Sequence, residues 1–202
     1  MKNLRTFLLL LAATGVSRVS FSEEKAKPTI LIAYDSRTGF TEQMARAVAE
    51  GAGRQEGIAV VVKRQDGVED EEIREAAGII LGSPVHWGNL SAATKSFIDR
   101  VGDVLVRSKE LGPGSTPRRR TAGAFVTGGA VSSGKELARI AILAAFLNMR
   151  FIVVGGEESD GFGNLGAQAT TGPSDPGLSD KELEDARRFG ERFASITLAL
   201  VR

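Results

Sequence analysis

Five short apolar runs, separated by segments of helical periodicity, constrain the fold of this chain most. The runs fall at residues 29–34, 58–63, 78–82, 122–127 and 151–154. Each has the length of a strand, and 58–63 (IAVVVK) is dominated by β-branched residues. Residues 41–53, 91–102, 134–147 and 180–200 carry apolar side chains at helical spacing, and 69–77 reads as a short polar helix. The second half of 134–147 is apolar nearly all round. Apolar strands alternating with helices predict an α/β fold with a parallel sheet covered on both faces. Such sheets bind ligands at the carboxyl ends of their strands, near the switch point. The informative residues are therefore expected just after the first, third and fourth runs. Residues 107–120, rich in Gly, Pro and Arg, read as a loop in which Arg118, Arg119 and Arg120 form a solvated run. Residues 155–179 read as one long Gly-rich loop. Loops of that length inside a compact domain are usually functional or disordered.

Length and composition narrow the function. The 202 residues suit one domain with a sizeable core. The chain has no Cys, which excludes disulfides, thiolate metal sites and Cys nucleophiles. His86 is the single His, so neither a His metal cluster nor a Ser-His-Asp triad with a spare His is expected. No residue is singled out as a metal ligand or a catalytic acid or base.

Residues 1–27 read as a separate tail and 28–202 as the folded domain. Lys2 and Arg5 precede an apolar stretch at 7–13, and Ser20 and Ser22 are small residues suited to cleavage. This is the pattern of a signal peptide, too short to span a bilayer. The expectation is an exported protein, periplasmic or secreted. If the true start lies near Lys27 instead, the protein is cytoplasmic. No twin-Arg pair precedes the apolar stretch. The tail holds five basic and two acidic residues, leaving 21 basic and 23 acidic ones in the rest. A near-neutral body gives no electrostatic case for nucleic-acid binding.

The densest chemical signal follows the first run: Ser36-Arg37-Thr38-Gly39-Phe40-Thr41, opening a helix. Backbone N–H groups point outward at a helix N-terminus, and the helix dipole favours an anion there. Three hydroxyls around a Gly, with no Lys, suit a monoester phosphate better than a triphosphate with magnesium. A plain cap by Thr38 or Thr41 needs only one hydroxyl. After the third run comes Gly82-Ser83-Pro84-Val85-His86-Trp87-Gly88-Asn89, and after the fourth Thr127-Gly128-Gly129, then Gly134-Lys135-Glu136. Pro84 stiffens the second loop, Trp87 offers a flat apolar face and Gly88 allows a sharp turn. Two other matches fail on context. Residues 161–166 fit G-x-G-x-x-G, but residues 167–177 are not helix-like. Residues 129–135 fit G-x-x-x-x-G-K, but Glu136 stands where a magnesium-holding hydroxyl belongs.

In this order, the three loops resemble those of flavodoxin-like proteins, and in particular the WrbA-type NAD(P)H:quinone oxidoreductases. The first resembles the FMN phosphate loop, and the second is similar to that family's G-[ST]-P-T-R-[FY]-G-N. Ser179, Glu182, Leu183, Ala186, Arg187, Gly190 and Glu191 match its C-terminal pattern. The resemblance spans roughly residues 29–197 and implies a three-layer sandwich with a five-stranded parallel sheet in order 2-1-3-4-5. It also implies FMN bound by residues 36–41, by Pro84, Val85, His86, Trp87, Gly88 and Asn89, and by Thr127, Gly128 and Gly129. NAD(P)H would be the electron donor, a quinone the acceptor, and a homotetramer or homodimer the assembly. Two features depart from the family. Residues 101–107 lack a Trp it often has near the nicotinamide, and Phe146-Leu147-Asn148 lacks its His near the flavin. The other readings are a flavodoxin-type electron carrier without enzymatic activity and an FMN-binding protein with a structural or sensing role. The weak negative charge of the body argues against a carrier that steers by acidity.

Overall fold

A computed structural model describes residues 26–157, 161–172 and 177–201. The signal-peptide expectation falls almost wholly on residues 1–25 and lies outside the described residues. Thr29–Tyr34 forms β1, Phe40–Gly53 α1, Ala59–Arg64 β2, Asp70–Glu75 α2, and Gly78–His86 β3. Asn89–Leu90 forms β4, Ala92–Arg107 α3, Thr121–Gly128 β5, and Lys135–Asn148 α4. Ile152–Val153, Gly156–Glu157, Gly163–Asn164 and Gln168–Thr170 form β6 to β9, and Asp180–Val201 forms α5.

The main sheet runs β2-β1-β3-β5-β6, all parallel. Numbered by the five apolar runs, this is the expected order 2-1-3-4-5. Successive side chains of a strand point to opposite faces, and the two cores follow that rule. Leu31, Ile79, Leu81, Ala122 and Ala124 pack under α3 and α4, whereas Ile30, Ile32, Ile80 and Phe125 pack under α1 and α5. With both faces covered, the strands need no polar side, which is why they read as continuous apolar runs.

Three expectations need correction. Residues 155–179 are not one irregular loop: β7 and β8 form an antiparallel hairpin, and β9 joins the main sheet. β6 pairs with the start of β5 and β9 with its end, so one edge of the sheet is built from two separate pieces. Strands of two or three residues are too short for periodicity to register. Second, α3 does not stop at Gly102. It runs to Arg107 because Val104 and Leu105 continue its buried stripe. Third, Arg120 is not solvated. Its guanidinium is buried and paired with Glu110 at 2.7 Å, and it donates to the Ile73 and Arg74 carbonyls. Burial pushes the Arg120 pKa down, against the pull of Glu110. Arg118 and Arg119 are exposed, as expected.

Candidate functional site

Three loops leave the carboxyl edge of the sheet, and each pair of them is joined. The first follows β1. Gly39, at φ +89°, caps α1 with its backbone alone, and no side chain bonds the first-turn N–H groups. A simple cap by Thr38 or Thr41 is therefore not what these hydroxyls do. The Gly39 N–H instead donates to Ser36 Oγ at 3.1 Å, which tightens the loop. Thr38 and Arg37 are exposed, Gly39 and Phe40 half-buried, and Ser36 and Thr41 buried. Arg64, level with Tyr34 at the end of β2, donates to the Ser36 carbonyl at 2.7 Å. Burial pushes the Tyr34 phenol up, and neighbouring Glu42 adds to it.

The second loop is the end of β3 itself. Register pairs Pro84 with Thr127, so the second and third loops emerge from adjacent strands at one level. His86 pairs antiparallel with Asn89, leaving Trp87 and Gly88 as a two-residue turn. Their φ values of +53° and +83° are those of a type I′ hairpin. Pro84, Val85, His86 and Gly88 are half-buried and Asn89 is exposed. The Trp87 ring stands fully in solvent, at 105% relative exposure.

The third loop follows β5. Thr127 and Gly128 are buried and Gly129 is exposed, with open space where a Cβ would stand. Ser133 Oγ is buried without a hydrogen-bond partner among the described residues. Gly134, at φ +88°, caps α4 with no side-chain bond, as Gly39 does for α1.

Close contacts join the three loops in pairs. The Thr41 and Thr127 hydroxyls share a hydrogen bond of 2.8 Å, linking the first and third loops. Ser91 Oγ donates to Asp35 Oδ2 at 2.7 Å, and the Ser91 N–H donates to Ser83 Oγ at 3.0 Å, linking first and second. Gln65 reinforces this by donating to the Gly82 carbonyl and Thr94 Oγ1, both at 3.2 Å. Gly134 lies so close to Gly88 that a Cβ there would overlap the Gly88 carbonyl, which joins second and third. Asp35, Arg64 and Ser91 thus shape the site without having been singled out for it. Their signal is spatial: Asp35 and Ser91 are 56 residues apart in sequence.

The residues present fit a flavin mononucleotide. An uncapped helix N-terminus with hydroxyls and Arg37 beside it suits a phosphate dianion. Open glycines at 39, 88 and 129 leave room for a close approach of backbone to ligand. The orphaned Ser133 hydroxyl offers one more polar partner. No group of three His, Cys, Asp or Glu able to hold a metal occurs among the described residues, and no helix there is long and apolar enough to cross a membrane.

Comparison with known proteins decides the family. The chain is 34% identical over 169 residues to a flavodoxin of Aquifex aeolicus, covering 82% of this chain and 84% of that one. The chain belongs to the flavodoxin family. Residues 62–160 of this flavodoxin-like chain also match the family model of NADPH-dependent FMN reductases. That match agrees with FMN and NAD(P)H as the cofactors that the resemblance implies. It is 28% identical over 205 residues to an NAD(P)H dehydrogenase (quinone) of Paracoccus denitrificans, covering 85% of this chain and 95% of that one. A WrbA-like flavodoxin structure from Agrobacterium tumefaciens shares its fold, with a TM-score of 0.67 at 23% identity over 87% of this chain and 99% of that one. The resemblance to a flavodoxin-like protein of WrbA type is borne out.

Proposed function

We propose that this chain is an FMN-dependent oxidoreductase that takes electrons from NAD(P)H and passes them in pairs to a quinone. The observation that carries the reading is the mutual linkage of the three loops at one sheet edge, each pair joined by a hydrogen bond or a close backbone approach. FMN bound there supplies the hydride and electron transfer. The first-turn N–H groups of α1, with Ser36 and Thr38, would hold the phosphate. Thr41 would act from below, its hydroxyl shared with Thr127. The 83–89 and 127–129 loops would flank the ring, with Trp87 as its aromatic neighbour. No side chain is assigned as proton donor or acceptor.

A second reading has its own support, because the 34% identical relative is a flavodoxin. On that reading the chain carries electrons between partner proteins and does not turn over NAD(P)H. Anaerobic spectroscopy separates the two. The purified protein should bind one FMN per chain, and NAD(P)H should bleach it rapidly, with quinone restoring the colour. A bound flavin that NAD(P)H leaves coloured would favour the carrier. Failure to bind FMN would remove both readings.

We also propose export, on the Lys2, Arg5 and 7–13 leader pattern. Mass spectrometry of native protein should find a new N-terminus near Ser22. An intact Met1 in the cytoplasmic fraction would overturn it.

A further inference from the structure

Lys135 opens α4 and is only 3% exposed. Both facts count against a lysine. The first turn of a helix is the positive end of its dipole, where cations are disfavoured. Burial also strips an ammonium of its water. The stem of the side chain runs beneath the third loop. A Cβ on Gly128 would stand 2.9 Å from Lys135 Cγ and 3.2 Å from its Cδ, so the stem fills the space a side chain there would take. The ammonium donates to the Thr170 hydroxyl on β9, and Thr170 pairs with Gly128 in register. One turn on, buried Arg139 donates to the Gly166 carbonyl at 2.6 Å and to Gln168 Oε1 at 2.8 Å. Residues 168 and 170 share a face of β9, and α4 lays one buried cation against each. An uncharged donor would serve Thr170 as well. What an ammonium adds at this place is charge.

The charged groups around it have further commitments. Glu136, Lys181, Glu182 and Asp185 border the same cleft as Lys135. Glu136 approaches Arg139, and Lys181 pairs with Asp185. Glu182 accepts from the Thr170 N–H at 2.8 Å and from the Ser179 N–H at 2.9 Å. Gly134 leaves the α4 N-terminus without a side-chain cap, so the positive end of the helix dipole adds to the ammonium. On the flavin reading, on which this inference rests, residues 127–129 border the ring. Hydride transfer from NAD(P)H brings the flavin two electrons and one proton and releases NAD(P)+. The ring thereby gains one negative charge, which it keeps until a second proton arrives. We propose that Lys135 sets the reduction potential of the bound flavin, its buried ammonium stabilising the reduced, anionic form from beneath Gly128. A buried charge acts over such a span because the surrounding dielectric is low. Lys135 is a tuning residue that works through its field, with no bond to the ring required. The lysine of residues 129–135, which suits no magnesium triphosphate, thereby has a use.

Anaerobic redox titration of the full chain with FMN bound tests the proposal. Potential is followed against pH, because its slope halves where the reduced flavin loses its second proton. Lys135→Gln keeps a hydrogen-bond donor and removes the charge. On the alkaline side of that break it should hold reduced relative to oxidised FMN about tenfold less tightly, a fall of about 30 mV for a two-electron couple. The break itself should move up by about one pH unit, the same tenfold factor. Lys135→Arg keeps the charge and should stay near the wild type. Glu182→Gln still accepts from the Thr170 N–H but removes a negative charge, so its potential should rise. That variant leaves Lys135 in place and reads the same field even if Lys135→Gln fails to fold. A potential indifferent to Lys135→Gln, an equal fall in Lys135→Arg, or no rise in Glu182→Gln would each overturn the proposal and leave the flavin reading standing. A chain that binds no FMN would remove that reading and the proposal with it.

Discussion

Trp87 sits in the left-handed region at φ +53° with its ring in solvent, a conformation disfavoured for a bulky residue. The cost is about 1–2 kcal/mol, and no protein contact offsets it at such exposure. Asn-Gly is the favoured pair for this turn. Trp87→Asn should therefore stabilise the ligand-free protein by about 1 kcal/mol while weakening FMN binding. The loss should be about 0.5–1.5 kcal/mol beyond area burial, the scale of aromatic stacking. Denaturant melts of the apoprotein and FMN titrations read the two effects separately. Unchanged FMN affinity would leave the ring without an aromatic neighbour from this loop. Trp87 was legible in the sequence because a lone Trp framed by Pro84 and Gly88 stands out. Asp35 and Ser91 were not, since an ordinary carboxylate and hydroxyl acquire a role only when β1 and α3 bring them to 2.7 Å. Thr41 falls between: its place in the loop was readable, but its hydroxyl partner Thr127 was not.

At the scale of elements, α1 and α5 meet through glycines. A methyl at Gly190 would overlap the Val48 carbonyl, and one at Gly51 would overlap the Arg187 carbonyl. The clash is with backbone, so no rotamer change relieves it. Gly190→Ala should cost about 1–3 kcal/mol or more, against a slight gain expected for Ala in an isolated helix. Thermal melts read the sign, and a stabilised variant would mean that the two helices can slide apart freely. α2 shows another design, a six-residue helix with one core side chain, Ile73, a capping box between Glu69 and Glu72, and ion pairs from Asp70 to α3. The Arg100 hydrogen bond holds the Asp70 carboxyl below its usual range, with Arg107 adding to it. The Glu69 N–H, then Lys63, does the same for Glu72. Lowered carboxylates stabilise the fold above their ordinary pKa, and that contribution is lost as pH falls through the lowered values. The protection factors of the amides in 70–75, corrected for the intrinsic rate, should fall below the ordinary carboxylate range while those of β1 and β3 hold. Equal protection of α2 and the sheet would refute this. The sequence made the long elements readable because each shows five or more residues of one period. It hid β9, whose Gln-Ala-Thr has no period, and the true end of α3, where Gly102 resembles a stop.

For the molecule as a whole, the site's location determines how ligand and stability are coupled. The loops come from residues 36–41, 83–89 and 127–134, and their strands lie side by side in the centre of the sheet. A ligand touching all three ties those central strands together and binds only while they are paired, so its binding energy should appear in global unfolding rather than in local fraying. FMN at a hundred times its dissociation constant should add about 2.7 kcal/mol. For a domain of this size that is a rise of roughly 5–10 °C in Tm. Riboflavin, which lacks the phosphate, cannot use the α1 N-terminus and should bind more weakly. Thr38→Ala separates the contributions. Its hydroxyl is exposed and bonds no other side chain among the described residues, so the apoprotein Tm should not move. Its FMN affinity should fall by about 1–3 kcal/mol, the scale of a hydrogen bond to a charged group, with riboflavin affinity unchanged. Equal losses for the two ligands would take the phosphate away from the first loop. It would then have to sit at α4, where Gly134 leaves the other helix N-terminus of this edge without a side-chain cap.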